Sequence, residues 1–174
     1  MNGIQVLLDG FSRIDELTHA ALADLRGDEL LARQDKDANS VAWLVWHLTR
    51  VQDAQVADLA GVEQTWNAKD WVTAFHLPYT PEATGYGQDS REVGAFSVTD
   101  QELLLGYFTD TSAATRNVLA SLRDEDLDRI VDTRWDPPVT MGVRLMSIIS
   151  DDIQHAGQAA FLRGILLRAR TGNE

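Results

Sequence analysis

The chain has 174 residues and a formal charge of −12 at pH 7. With no basic patch to offset it, this acidity argues against binding to nucleic acid or to an anionic membrane surface. The sequence has no cysteine, which excludes disulfides, thiolate ligands and a thiol nucleophile of its own. It has no apolar run near 18 residues and no charged-then-apolar leader, so we expect one cytoplasmic domain over 1–174 that does not enter a membrane.

The first part of the chain predicts two long helices. Apolar residues recur at helical spacing over 3–26. A second helix is expected to begin at Asn39 or Ser40, either of which can cap it, and to end near Leu59. His47 lies among the apolar positions of this second helix. Taken alone, a histidine in that setting is more often a core residue than a metal ligand.

A long stretch without helical periodicity follows over 61–98. It is rich in aromatic residues, which disordered segments lack, so we expect an ordered crossover with a short helix near 67–75. The motif TDQE at 99–102 is a capping box, and it predicts the start of a third helix that ends near Leu122. Residues 130–138 are expected to be extended.

The last predicted helix, over 140–168, is the longest, and Thr140 is expected to cap it. Asp151 and His155 are four residues apart, so they share one helix face and continue its apolar stripe. A carboxylate on a core-facing stripe is costly unless a partner such as a divalent cation compensates its charge. Four long helices with a long crossover between helices two and three predict an all-α four-helix bundle, and such bundles build metal sites from facing helices.

The predicted metal site joins His47 of helix two to Asp151 and His155 of helix four. Two imidazoles and one carboxylate leave a position open on a zinc-like ion, which is typical of catalytic rather than structural sites. Asp152, three residues before His155, is a second carboxylate that could bind the ion instead. This donor set does not separate Zn²⁺ from Ni²⁺. The oligomeric state stays open, including a homodimer.

Two motifs carry a resemblance to a known family. The segment SVAWLVWHL at 40–48 and the segment DDIQHAGQ at 151–158 together resemble the DinB-like metal-binding bundle superfamily, over nearly the whole chain. The sequence is most similar to the mycothiol-dependent transferase group and to the N-terminal domain of mycothiol-dependent maleylpyruvate isomerase. Members carry one histidine on helix two and either His-x3-His or Glu-x3-His on helix four. The resemblance therefore implies His47, Asp151 and His155 as ligands, with aspartate in place of the usual glutamate or histidine.

The resemblance implies a metal-dependent thiol transferase that takes part in detoxification. A coordinated thiol is deprotonated, and the resulting thiolate could attack an electrophilic small molecule. Mycothiol is the thiol that the resemblance implies. Water in the same position would instead make a metal hydrolase. A non-catalytic binding or stress-response module is a third interpretation.

Three further expectations concern the surroundings of the site. The electrophile should enter at the bundle end covered by 61–98, where aromatic residues could wall a pocket, namely Trp66, Tyr79 and Tyr86. Gly157 is expected to allow close approach of another element, and Gln158 to face the rim without binding the ion. Asp132 and Arg134 alternate with a further aspartate, and they are expected to form solvated or local ion pairs.

Overall fold

The chain is mostly helical. The structure is a computed structural model that describes residues 1–171. Its helices and strands, in chain order, are α1 (Gly3–Leu22), a 3₁₀ helix (Gly27–Leu31), α2 (Val41–Ala60), α3 (Thr65–Ala68), α4 (Trp71–Phe75), α5 (Ser90–Gly94), α6 (Gln101–Ser121), a second 3₁₀ helix (Asp124–Asp128), β1 (Ile130–Asp132), β2 (Val139–Thr140) and α7 (Met141–Thr171).

The long helices begin and end close to the predicted positions because their caps are local signals. Ser40 caps α2, and its hydroxyl accepts the backbone N–H of Trp43 at 3.2 Å. Gly61 follows the last turn of α2 in the left-handed conformation, at φ 66°. The N-cap predicted from the capping box at 99–102 was wrong by one residue, since the carboxylate of Asp100 caps α6. Aspartate is at least as good an N-cap as threonine, and its carboxylate accepts two backbone N–H groups here.

The four long helices pack against one another: α1 and α2 each contact both α6 and α7. Helix α2 is covered on all sides, because every residue over 41–53 is buried. The sequence predicted one buried apolar face on α2, whereas the structure buries all of its faces over 41–53. A helix that is surrounded in this way places even its polar side chains, such as His47 and Arg50, inside the protein.

The segment between α2 and α6 holds three short helices, α3, α4 and α5, where one was expected near 67–75. Its backbone is tied to α2 by two buried charged residues. Asp53 accepts the backbone N–H groups of Thr65 and Trp66, each at 2.8 Å. Arg50, whose side chain is 1 % exposed, donates to the carbonyl oxygen of Ala83 at 3.1 Å. These bonds fix the path of the loop that covers the middle of α2.

A small hairpin precedes α7. Strand β1 pairs antiparallel with β2, with Ile130 opposite Thr140. The extended conformation predicted over 130–138 is confirmed for 130–132 only, because the chain bends over 134–137 to reach β2. The Thr140 hydroxyl accepts the backbone N–H of Val143 at 3.3 Å, as expected of a cap. Within residues 1–171, no helix combines the length and apolar character that crossing a membrane requires.

Candidate metal centre

Three side chains from α2 and α7 meet at one place. His47 offers one ring nitrogen, His155 offers another and Asp151 offers a carboxylate oxygen, and these donor atoms all lie within 4.8 Å of one another. His47 is buried, whereas Asp151 and His155 are half-buried. The tertiary structure thus brings together the three residues that the sequence singled out, across a separation of more than 100 positions.

The His47 ring is held by a stacked aromatic ring and by a hydrogen bond at Nδ1. Its Nδ1 lies 2.6 Å from the carbonyl oxygen of Thr84. A carbonyl oxygen can only accept, so Nδ1 carries the proton and Nε2 keeps its lone pair for another partner. The Trp43 ring stacks on the imidazole, with centroids 4.7 Å apart and planes at 16°. The Trp43 indole N–H is itself fixed by the side-chain oxygen of Gln88, at 2.8 Å.

His155 is arranged in the same way on the opposite helix. Its Nδ1 lies 3.0 Å from Oε1 of Gln158, and its Nε2 lies 3.6 Å from Oδ1 of Asp151. The rings of His47 and His155 meet edge to face, with centroids 4.8 Å apart. Gln158 is exposed beside His155, which agrees with the rim position expected for it. The expectation for Gly157 was wrong, because a Cβ atom there would meet nothing within 4 Å.

These contacts fit a divalent ion. Histidines that bind a metal characteristically donate their second ring N–H to an oxygen acceptor, and both histidines have such an acceptor at Nδ1. Around a tetrahedral ion with bonds of about 2.0–2.1 Å, donor atoms lie about 3.3 Å apart. The widest donor pair would therefore close by about 1.5 Å, which is within the reach of side-chain rotation. Two imidazoles and a carboxylate suit Zn²⁺ or Ni²⁺ and leave a coordination position open.

Burial also sets the protonation state of His47. Removal from water disfavours the charged imidazolium and so lowers the pKa of His47 below its ordinary value of 6.5. The hydrogen bond to Thr84 opposes this shift, and the charge of His155 adds to it. The ring is therefore neutral near pH 7, which is the form that binds a metal ion.

The second carboxylate of α7 has a different environment. Asp152 is completely buried, and neither of its oxygens has a hydrogen-bond partner among residues 1–171. Burial raises the pKa of Asp152 well above its ordinary value, and the neighbouring charge of Asp151 adds to this effect. Asp152 is not among the donors that meet at His47 and His155. The core-facing carboxylate of α7 is thus Asp152, while Asp151 and His155 lie at the edge of the buried face, about 100° and about 60° around the helix from it.

Sequence reasoning missed the loop that closes over His47. Gly85 is buried at φ 90°, and a Cβ atom on it would lie 2.7 Å from Nδ1 of His47 and 3.0 Å from Trp43. Only glycine fits such a close approach in this conformation. Arg50 holds the same loop through Ala83. The available signal was the pair of opposite charges three residues apart in an otherwise apolar part of α2, at Arg50 and Asp53.

A cavity of about 660 Å³ adjoins the site, and its lining includes two of the three donor residues, His47 and Asp151. Among the three aromatic residues expected to wall a pocket, only Tyr86 lines this cavity. Tyr79 lines a neighbouring cavity of about 510 Å³ together with Tyr86. Trp66 is buried in the core against other aromatic rings, so its predicted role as a pocket wall was wrong.

Comparison with known proteins places this site in context. The family model described as the DinB superfamily matches residues 11–159. One similar solved structure is described as the crystal structure of the conserved protein of a locus from Enterococcus faecalis. It is 29 % identical in sequence, has a TM-score of 0.89, and the match covers 96 % of this chain and 98 % of that one. The comparison with curated proteins found no match.

Proposed function

The chain belongs to the DinB superfamily, and we propose that it is a metal-dependent thiol transferase. In this proposal a low-molecular-weight thiol, mycothiol or one like it, is joined to an electrophilic small molecule. The observation that carries the proposal is the meeting of two imidazole nitrogens and one carboxylate oxygen beside a cavity of about 660 Å³. A site with three protein ligands and an open position is the arrangement typical of catalytic metal centres.

The proposal includes the architecture that the sequence predicts. We interpret α1, α2, α6 and α7 as a DinB-like four-helix bundle, with the long crossover between α2 and α6. Residues 1–174 would act as one domain, and His47, Asp151 and His155 would be the ligands of one divalent ion. This arrangement puts the ligands on two helices that pack directly against each other.

A bound divalent ion would supply one piece of chemistry, the lowering of a thiol's pKa so that thiolate is present near neutral pH. The side chains of the protein orient the two imidazole rings toward the ion. Thr84 fixes the Nδ1 proton of His47, and Gln158 does the same for His155, so both Nε2 atoms stay available as ligands. The chain has no cysteine, so the nucleophilic sulfur must come from a cosubstrate.

The transfer step balances without a redox partner. The thiol loses its proton to solvent, and a carbon–sulfur bond forms at the electrophilic carbon. The leaving group departs with its bonding electron pair, as chloride does from a haloaromatic compound. The cavity beside His47 and Asp151 is large enough for such a compound, since small-molecule sites occupy about 300–1,000 Å³.

The test compares metal-loaded and chelated protein with the His155→Ala variant, and follows thiol consumption with a chloronitrobenzene. We expect His155→Ala to lose both metal and activity while keeping the fold, because the apolar packing of α7 does not depend on this half-buried ring. His19→Ala is the matched control, since His19 is exposed on α1 and its ring contacts the backbone of Asp15.

The outcomes separate three readings of the site. Metal-dependent thiol loss that His155→Ala abolishes supports the transferase. Loaded protein that leaves thiol untouched but hydrolyses an ester or amide would instead be a metal hydrolase. A protein that does neither and binds no metal would be a binding or stress-response module.

A further inference from the structure

We propose that Arg134 and Arg144 bind a carboxylate of the electrophile, which makes the substrate an anionic small molecule. The proposal rests on the thiol transferase function and assigns the substrate class of the same site. It comes from the lining of the cavity beside the metal ligands. His47 and Asp151 belong to that lining, and so do Arg134 and Arg144.

The two arginines come from different elements and are joined by one carboxylate. Arg134 follows β1, and its Nη2 lies 2.8 Å from Oδ2 of Asp132. Arg144 is in the first turns of α7, and its Nη2 lies 2.9 Å from the same oxygen. The expectation of a local ion pair in this segment is therefore confirmed for Asp132 and Arg134, but the pair also includes a residue from α7.

The charges that face the cavity favour an anion. Asp132 is absent from the lining of the 660 Å³ cavity, but it lines an adjoining cavity of about 390 Å³ together with both arginines. It also lines a smaller cavity of about 50 Å³ with Asp58. The ionised side chains that line the larger cavity are therefore Arg134, Arg144 and Asp151. In a chain with a net charge of −12, two arginines on one wall of a cavity make a local exception.

The guanidinium groups also keep donors for a second acceptor. Each has five N–H groups. Arg134 uses Nε and Nη2 on Asp132, and Arg144 uses Nη2 on Asp132 and Nη1 on Gln55, at 3.4 Å. The Arg144 side chain is 24 % exposed and so is held in place, whereas that of Arg134 is 82 % exposed and can turn toward a ligand. A carboxylate in the cavity would accept charge-assisted hydrogen bonds from this pair.

Such binding would orient the electrophile. The thiol would occupy the open position at the donors His47, Asp151 and His155, and the anionic group would lie against Arg134 and Arg144. The reactive carbon would then lie between these two anchors within one cavity. Holding both reactants in a fixed geometry lowers the entropic part of the barrier to transfer.

The test of specificity uses two haloaromatic electrophiles, neutral 1-chloro-2,4-dinitrobenzene and anionic 4-chloro-3,5-dinitrobenzoate, each normalised to its uncatalysed reaction. We expect the wild type to favour the benzoate, and Arg144→Gln to lower the benzoate-to-neutral ratio of kcat/KM by about tenfold, since a charge-assisted bond is lost. Arg13→Gln is the control with the same charge change. Arg13 forms an exposed pair with Asp9 on α1, so the ratio should not move.

A second measurement is independent of thiol transfer. Benzoate binding to chelated protein, followed by NMR titration, should weaken about tenfold in Arg144→Gln and also in Arg134→Gln. The exposed Arg134 position keeps the test valid if Arg144→Gln fails to fold. Arginine-dependent benzoate binding without any thiol transfer would support a carboxylate site at these arginines and overturn the transferase. Benzoate binding that is absent, or equal in wild type and variants, would overturn the inference whatever the thiol assay gives.

The carboxylate could also belong to the thiol. Repeating the neutral-electrophile assay with 2-mercaptoethanol and with 3-mercaptopropionate separates the two sources. Equal effects of Arg144→Gln on both thiols support the assignment to the electrophile. A selective loss with 3-mercaptopropionate, together with an unchanged benzoate-to-neutral ratio, would overturn it.

Discussion

The Nδ1 atom of His47 donates a hydrogen bond to the carbonyl oxygen of Thr84 across 2.6 Å, a contact between the middle of α2 and a residue 37 positions later. The loop that carries Thr84 is held in turn by Arg50, three residues after His47 on the same helix. One helix therefore supplies both a proposed metal ligand and the anchor for the loop that orients that ligand. This relationship makes the loop a part of the site.

The close approach of Gly85 leads to the first prediction. In Gly85→Ala the new Cβ atom would lie 2.7 Å from Nδ1 of His47, so the ring or the loop must move. We expect the zinc affinity to fall about 10–100-fold, the range typical for loss of a ligand's supporting contact. Competition with a chromophoric chelator measures this affinity.

Gly87→Ala is the matched control for that variant. Gly87 also has a positive φ, of 75°, but a Cβ atom there would meet nothing within 4 Å. Both variants should be destabilised by about 1 kcal/mol or more from backbone strain, as seen in thermal unfolding. Equal losses of zinc affinity in the two variants would contradict a specific role for the contact between Gly85 and His47.

The second prediction separates the two adjacent carboxylates of α7. Asp151→Asn should lower bound metal strongly, because the carboxylate that meets the two histidines belongs to Asp151. Asp152→Asn should keep the metal, since Asp152 is completely buried and is not one of those donors. Metal content of protein purified without chelator or affinity tag measures both. The reverse pattern would make Asp152 the ligand.

The third prediction concerns how the buried carboxyl of Asp152 lowers the free energy of unfolding. Burial raises the pKa of Asp152 in the folded state well above its ordinary value of 3.8. At pH values between the unfolded-state pKa and the folded-state pKa, the folded state therefore binds more protons than the unfolded state. The contribution of Asp152 to the free energy of unfolding therefore decreases as pH rises above about 4. Asp152→Asn should stabilise chelated protein more at pH 8 than at pH 5, because the amide does not ionise.

Urea unfolding of both proteins at pH 5 and pH 8 checks this prediction. The stabilising effect of Asp152→Asn should be larger at pH 8, because ionisation of the parent's carboxyl in the unfolded state favours unfolding more strongly there. A gain that does not depend on pH would show that the carboxyl is partnered in solution.

The fourth prediction follows from the lowered pKa of His47. In chelated protein the ring should titrate below pH 6.5, because burial disfavours the imidazolium. Below pH 6.5 the unfolded state then binds more protons than the folded state, so this group makes the protein less stable as pH falls through that window. The chemical shift of the His47 ring proton, followed by NMR, gives the midpoint. A midpoint at or above 6.5 would contradict the buried environment.

Local features of the sequence were sufficient for much of the fold. The second helix follows from apolar periodicity between a capping residue, Ser40, and a glycine, Gly61, because helix propagation and capping depend on neighbours within a few residues. The spacing of Asp151 and His155 likewise placed them one turn apart on a common face, since the helix has 3.6 residues per turn. His47 was assigned to the same site because facing helices of a bundle build metal sites, and the resemblance of its motif supports that assignment.

Other features depended on contacts between distant parts of the chain, and local sequence patterns do not predict such contacts. Periodicity marked Asp151 as core-facing, but the packing of α7 against both α1 and α2 decides that Asp152 is the buried residue. The loop that carries Gly85 covers His47 because Arg50 binds it, and no spacing along the chain encodes that approach. The sequence by itself determined where the four long helices form and which of their side chains share a helix face, because those follow from short-range backbone geometry. Only the tertiary structure decided which of those faces is enclosed and by what, because burial depends on elements that the chain brings together from far apart.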